Sequence, residues 1–273
     1  MLGLGIALVG IAGCSGAINA EQTLENQNYS TFAQWCENKE NISPEARHTV
    51  EVLLEEVDTQ DCAAAGERLT NLSHLDLSNN QIKDISPLSP LTNLNTLYLI
   101  DNQIADISPL SPLTNLNNLI LIDNQIADIS PLSSLTNLTS LTLHNNQIAD
   151  ISPLSSLTNL TSLGISNNQI ADISSLSSLT NLRFLYIYNN QIADISSLSS
   201  LTNLIHLEMG DNQIAETVSL SSLTNLTRLN LINNQITDIS TLSPLTNLTH
   251  FWLSGNTLTN PTCPVQPESI CQF

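Results

Sequence analysis

Leucine and isoleucine recur at fixed positions along most of the chain, in a pattern that repeats every 22 residues from Leu69 onward. When each unit is numbered from its first leucine, positions 1, 4, 7, 9, 14, 17 and 20 are apolar. In the fourth unit they are Leu135, Leu138, Leu141, Leu143, Ile148, Ile151 and Leu154. Positions 7 and 9 alternate with polar residues, as in a strand, whereas the other apolar positions have neither a helical nor a strand period. The spacing therefore predicts a chain that coils once per unit around one interior.

Several polar positions of the unit fit the same coil. Position 12 is Asn in every unit, from Asn80 to Asn256. Its amide can hydrogen-bond to turn backbone groups that would otherwise be buried without a partner. Position 18 is usually Ser, and position 19 is Pro in the first four units. This pair predicts an N-cap followed by the first residue of a short helical or 3₁₀ turn.

The motif L-x-x-L-x-L-x-x-N-x-I, repeated over residues 69–260, resembles the leucine-rich repeat. The 22-residue length is most similar to that of the bacterial internalin type. This resemblance implies an α/β repeat solenoid, a right-handed superhelix with a parallel β-sheet on its concave side and short 3₁₀ or irregular turns on its convex side. It specifies the fold and says almost nothing about the partner.

Composition divides the rest of the chain. We predict a signal peptide over residues 1–20, a tether over 21–29, a helical N-terminal cap over 30–68, eight full repeats and one partial repeat over 69–260, and a C-terminal cap over 261–273. Ser43 and Pro44 have the order of an N-cap and a first helical residue. Both ends of a solenoid expose an apolar face, so caps are expected there.

The N-terminus predicts export. An apolar run from Leu2 to Ile11 is too short to span a bilayer and leads into Ile-Ala-Gly-Cys, which ends at Cys14. This resembles the bacterial lipobox, whose cysteine is acylated, although no basic residue precedes it. We expect a lipoprotein of the cell envelope. The alternatives are a secreted or periplasmic protein cleaved after Ala17 or Ala20, and a buried terminal strand.

Four further cysteines flank the repeats. Cys36 and Cys62 precede them, and Cys263 and Cys271 follow them. An even number of cysteines in an exported chain predicts disulfides, and proximity favours Cys36–Cys62 and Cys263–Cys271. No C-x-x-C or nearby His pattern accompanies them, so we predict no metal site at these residues.

The net charge and the absence of catalytic motifs argue against several classes of partner and activity. The net charge of −19 argues against nucleic acid and anionic lipid surfaces as partners. It favours solubility or, alternatively, a basic partner. Phosphate-binding loops, zinc-protease motifs and nucleophile elbows are absent from the sequence, so we predict a protein without catalysis or cofactor. Position 16 is acidic in eight units, and we expect these side chains to cap the following turn, with a calcium ladder as the alternative.

The repeats vary mainly at positions 6, 8 and 10, whose side chains point away from the core on the concave side. We call this surface, with the flanking position 5, the concave face. Aromatic residues on such a surface are typical anchors of protein interfaces, although they can also pack on one another. The candidate ligand-binding residues are Tyr98, Arg183, Phe184, Tyr186, Tyr188, His206, Glu208, Arg228 and Trp252. A metal site built on His206 and Glu208 is a weaker alternative.

These observations predict a monomeric protein that recognises a protein or glycan at the cell envelope and meets the membrane only through its lipid anchor. The alternative is a structural spacer without a specific ligand. One unit departs from the pattern. Thr217 occupies a core position that is Ile in other units, and the apolar Val218 stands one residue after that position. We therefore expect a local irregularity there.

Overall fold

The computed structural model describes residues 29–273. The predicted signal peptide, the Cys14 lipidation site and all but the last residue of the tether lie outside the described residues. Within the described part, no helix is long and apolar enough to cross a membrane.

Three α-helices form the N-terminal cap of the described chain. They are α1 (Phe32–Glu37), α2 (Pro44–Glu56) and α3 (Cys62–Thr70). The Ser43 hydroxyl accepts the Ala46 N–H with Pro44 in the first turn, which confirms the predicted start of α2. Helix α3 runs into the first unit, so the opening residues of that unit are helical.

Ten strands, each of two or three residues, form one parallel sheet in residues 29–273, and their spatial order equals their chain order. They are β1 (His74–Asp76), β2 (Thr96–Tyr98), β3 (Asn118–Ile120), β4 (Ser140–Thr142), β5 (Ser162–Gly164), β6 (Phe184–Tyr186), β7 (His206–Glu208), β8 (Arg228–Asn230), β9 (His250–Trp252) and β10 (Cys271–Gln272). From β1 to β9 the register pairs equal positions of adjacent units, as in Leu141 with Leu163. Strand β10 belongs to the C-terminal cap, pairs with β9, and is not evident from the repeat pattern.

Apolar side chains at equal positions of successive units stack in columns, and these columns together form one continuous hydrophobic core inside the coil. All seven apolar positions of the fourth unit are fully buried, as they are in most other units. The leucine-rich repeat fold predicted from the sequence is confirmed.

The position 12 asparagines join adjacent units. The Asn124 Oδ1 accepts the Ile104 N–H at 3.1 Å, and its Nδ2 donates to the Leu99 carbonyl at 2.8 Å. Equivalent bonds recur in the neighbouring units. The predicted role of this residue in the turn is therefore confirmed, and the ladder extends it across units.

Position 11 adopts the left-handed backbone conformation in all nine units of the described chain. Its φ lies between 52° and 62° in the eight units that carry Asn or Asp, and is 78° at Gly255. These three residue types tolerate positive φ best. Position 11 holds only Asn, Asp or Gly in the nine units, and this restriction is a turn signal in the sequence.

A short 3₁₀ helix follows the turn in each of eight units. These helices span Ser86–Leu88, Ser108–Leu110, Ser130–Ser134, Ser152–Ser156, Ser174–Ser178, Ser196–Ser200, Val218–Ser222 and Ser240–Leu242, and two further 3₁₀ helices lie in the caps, at Lys39–Asn41 and Glu268–Ile270. The expectation that Ser at position 18 is the N-cap is wrong, because that serine is the first residue of the helix. Asp128 instead accepts the Ser130 N–H at 2.8 Å and its hydroxyl at 3.0 Å, and these bonds lower the pKa of Asp128. The capping role predicted for the position 16 acids is thereby confirmed at this site.

Unit seven is irregular in the predicted way. Thr217 is buried in the core column, and its hydroxyl lies 2.9 Å from the Thr241 hydroxyl and 3.3 Å from the Asp238 carbonyl oxygen. Val218 stands where most other units carry an exposed serine, and it is itself exposed. The core therefore holds a hydroxyl in this unit because the next unit supplies its hydrogen bonds.

Both predicted disulfides are confirmed. Cys36 and Cys62 are bonded with a Cα–Cα distance of 5.5 Å, and Cys263 and Cys271 with one of 5.8 Å. The first bond ties α1 to α3, and the second joins β10, which pairs with β9, to the loop that follows β9. Each disulfide therefore closes one end of the solenoid.

Candidate functional site

The concave face is built by the alternation within each strand. In β6 the central Leu185 is fully buried, whereas Phe184 and Tyr186 are partly exposed on the opposite surface. The same alternation holds along the sheet, so the structure brings all nine candidate residues to one face. Arg183 and Tyr188 lie just outside the two ends of β6.

The aromatic residues form separate groups on that face. The Tyr98 ring packs edge-on against His74 at 5.1 Å, and the Trp252 ring stacks on His250 at 5.3 Å. Four strand spacings, about 19 Å, separate Tyr98 from Tyr186. Seven of the nine candidate residues gather on and around β6 to β8, and Tyr98 and Trp252 lie nearer the ends.

We call the seven candidate residues on and around β6 to β8 the central group. One row of this group combines aromatic and basic side chains. The register places Phe184, His206 and Arg228 side by side. The Phe184 ring packs edge-on against His206 with 5.1 Å between centroids, and the Arg183 guanidinium carbon lies 5.9 Å from the Phe184 centroid. The row thus offers apolar rings next to positive charge.

Arg228 of this row and the neighbouring Arg183 have no counter-ion within the described part of the chain. Over residues 29–273 neither guanidinium forms an ion pair, whereas Arg47 of the cap pairs with Glu40 at 3.0 Å. Desolvation and the positive charge of Arg228 lower the pKa of His206, and Glu208 partly opposes them. Arg183 and Arg228 are therefore free to pair with groups outside the chain.

A second part of the face was not selected by the sequence analysis. The His144 ring is half-buried, and its Nδ1 accepts the Ser166 N–H at 3.0 Å. It stacks on Tyr188 with 6.1 Å between centroids and packs edge-on against Tyr186 at 6.5 Å. Burial lowers the pKa of His144, and the negative charge of Asp123 partly opposes this. The available signal was Gly164, which leaves a gap in a column of larger residues.

The side chains of the concave face offer several kinds of non-covalent contact. In the part of the chain that the structure describes, no three His, Cys, Asp or Glu side chains are grouped so as to hold a metal ion. The face offers aromatic rings, two unpaired guanidinium groups and half-buried imidazoles on a rigid sheet. Such a combination suits a protein interface with aromatic and arginine anchors.

Comparisons with known proteins agree with this architecture. The family model for leucine-rich repeats (two copies) matches residues 70–112, 114–156, 158–200, 180–223, 202–244 and 224–262. None of the curated proteins matches the sequence significantly.

Solved structures of bacterial and plant proteins are similar to the chain. The internalin InlF of Listeria monocytogenes is 44% identical, with a TM-score of 0.69, over 70% of this chain and 57% of that one. The internalin C2 of the same organism is 36% identical, with a TM-score of 0.68, over 77% of this chain and 91% of that one. The ectodomain of a receptor kinase of Arabidopsis thaliana, solved in complex with Casparian strip integrity factor 2, is 29% identical over 69% of this chain and 24% of that one, with a TM-score of 0.62.

Proposed function

Because this chain belongs to the leucine-rich repeat family, with repeats of the internalin type, we propose that it is a non-catalytic recognition protein that binds a protein ligand through its concave face. Leucine-rich repeat proteins are typically protein-interaction scaffolds. The chain spans only 57% of the InlF chain. We therefore infer the class of partner from the residues of this chain.

The observation that carries the proposal is the central group on β6. Core and turn positions repeat almost unchanged, whereas β6 and its flanks present Arg183, Phe184, Tyr186 and Tyr188 on the concave face. Tyr188, at 37% exposure, is one of three large hydrophobic residues in the described chain that are more than partly exposed. Aromatic residues and arginine are the side chains that most often contribute binding energy at protein interfaces. A scaffold that only needed to fold would gain nothing from this arrangement.

The proposed location is outside the cytoplasm. The two disulfides favour an oxidising compartment. We propose that Cys14 carries lipid and anchors the protein to the cell envelope, with secretion as the alternative when this residue is not acylated. The mass of the mature N-terminus distinguishes these two routes.

The experiment is a capture assay with the intact protein as bait on envelope extracts and purified glycans. A matched bait carries Phe184→Ala, Tyr186→Ala and Tyr188→Ala together. A ligand retained by the unchanged protein should be lost from the triple variant, and Tyr186→Ala alone should weaken its affinity by about 5- to 150-fold, equivalent to about 1–3 kcal/mol. Thr96→Ala is the control, because Thr96 lies partly exposed on the same face, about 19 Å from β6, and is not one of the candidate ligand-binding residues.

Two results would redirect the proposal. If the triple variant retains the ligand, the site lies on the convex turns or on the helical cap. If neither extracts nor glycans yield a ligand that also raises the melting temperature of the unchanged protein, the spacer function becomes the better explanation. If the bait retains a glycan and not a protein, the proposed class of ligand changes, but the proposed location of the site on the concave face does not.

A further inference from the structure

Ser166 is a buried polar residue on a surface that is otherwise open to solvent. It follows β5 at position 10, on the side of the concave face, and it is fully buried. Its hydroxyl has no hydrogen-bond partner among residues 29–273. Buried hydroxyl groups nearly always have a partner, so this one calls for an explanation.

Two rings lean over Ser166 from either side. His144 and Tyr188 hold the same position in the preceding and following units, so their backbones lie two strand spacings apart, about 9.6 Å. Their ring centroids are only 6.1 Å apart, and the ring planes differ by 28°. The rings therefore incline toward each other above the serine between them.

Gly164 provides the space that the His144 ring occupies. A Cβ atom at this position would lie 2.6 Å from Nε2 and 2.7 Å from Cε1 of His144. The equivalent residues of the adjacent units are Thr142 and Tyr186, which pair with Gly164 in the sheet. The imidazole thus fills a notch in the sheet, where the Ser166 N–H holds it by one hydrogen bond.

We propose that His144 and Tyr188 form a lid over a binding subsite, in which the N–H and hydroxyl of Ser166 receive the carbonyl oxygen of a carboxamide side chain from a protein partner. This inference rests on the proposed function of the concave face. When the ring turns away, the Ser166 N–H loses its acceptor and the hydroxyl becomes accessible. One ligand oxygen then satisfies both donors, whereas the closed lid satisfies one.

The surroundings favour a neutral oxygen over a carboxylate. Asp123 lies close enough to act electrostatically on His144, and the chain as a whole carries a net charge of −19. A second negative charge in the notch would be repelled. Tyr186 and Tyr188 supply apolar contacts beside the polar floor.

The test is an NMR titration of the intact, ¹⁵N-labelled protein at neutral pH with acetamide and, in a parallel arm, with acetate. His144→Ala removes half of the lid without touching the core. In this variant the Ser166 amide signal should shift saturably with acetamide, with a midpoint at least about tenfold below that of the unchanged protein, because a closed lid lowers the apparent affinity. Adding Ser166→Ala to this variant should raise the midpoint again.

Gly164→Ala provides a second measurement in which the histidine is kept. The new methyl group should expel the ring, so the Ser166 N–H should lose its bond to Nδ1 and the ¹⁵N signal of Nδ1 should change. Gly210→Ala is the matched control, because its nearest contact would be 3.3 Å, to the carbonyl oxygen of Ile232, and no histidine lies against it.

Three outcomes would overturn the proposal. They are a Ser166 amide that does not respond in His144→Ala, an equal response in His144→Ala and the unchanged protein, and a response to acetate alone. The titration uses no partner protein, so its failure is distinguishable from a failure of the capture assay with the β6 variants.

Discussion

Replacing Asn124 with Ala tests whether the asparagine ladder holds the solenoid together. This side chain lies almost wholly inside the turn. Its Oδ1 accepts the Ile104 N–H, and its Nδ2 donates to the carbonyl of Leu99, which belongs to the preceding unit. The substitution leaves both backbone groups buried without a partner.

The magnitude follows from those two groups. A buried donor or acceptor that loses its partner costs about 1–3 kcal/mol. Two such groups predict a loss of about 2–6 kcal/mol in the free energy of unfolding, which is a large part of the stability of an ordinary domain. Nδ2 also lies 3.3 Å from the Leu121 carbonyl oxygen and 3.2 Å from that of Ile122, but both oxygens keep another donor in the variant and so add little to the loss.

Urea unfolding followed by circular dichroism measures the loss. Asn137→Ala is the control, because it removes the same amide from an exposed position where it donates only to the Thr114 carbonyl at 2.9 Å. We expect the control to cost at most about 0.5–1.5 kcal/mol. If Asn124→Ala costs no more than this control, the ladder does not carry the stability assigned to it.

Three further predictions address the core, the C-terminal cap and the buried imidazole. Leu185→Ala should lower the free energy of unfolding by about 2–5 kcal/mol because it leaves a cavity, whereas Tyr186→Ala should change it by about 0.5 kcal/mol. Similar losses for the two variants in urea unfolding would contradict the assignment of Leu185 to the core and Tyr186 to the concave face. Reduction of Cys263–Cys271 should cost about 2.6 kcal/mol for a loop with a sequence separation of 8 and should loosen Trp252 first, so a uniform loss along the chain in hydrogen exchange would contradict the cap role. Burial lowers the pKa of His144, so the contribution of this residue to stability is fully present above the unfolded pKa of 6.5 and declines as the pH falls below it. The difference in the free energy of unfolding between the unchanged protein and His144→Gln should therefore shrink in acid. A difference that stays constant on acidification would refute this prediction.

The repeat pattern was sufficient to predict the fold of the described chain. A period of 22 residues fixes which side chains share a column, because parallel strands pair equal positions of adjacent units. The core positions, the turn role of the position 12 asparagines and the irregular Thr217 follow from residue type at a fixed place in the unit, and the two disulfides follow from the number and proximity of the cysteines at each end. These features depend on the period and on contacts between equivalent or nearby positions, which the sequence displays directly.

Residue type alone was less reliable for the details of the turns. The serine before each proline was expected to be an N-cap, but the N-cap is the preceding isoleucine, and the acid before it accepts both the N–H and the hydroxyl of the serine, as Asp128 does from Ser130. Strand β10 was not predicted either. It lies outside the period, and it forms because the second disulfide and the unpaired edge of β9 bring the cap into register.

The candidate site shows the same division between sequence and tertiary structure. The sequence by itself determined which side chains face away from the core, and so it identified Phe184, Tyr186 and Tyr188. Only the tertiary structure decided that His144 would bend over Gly164 and enclose Ser166. That arrangement depends on the side-chain conformation of one unit and on the missing side chain of the next, and a repeat pattern carries no information on either.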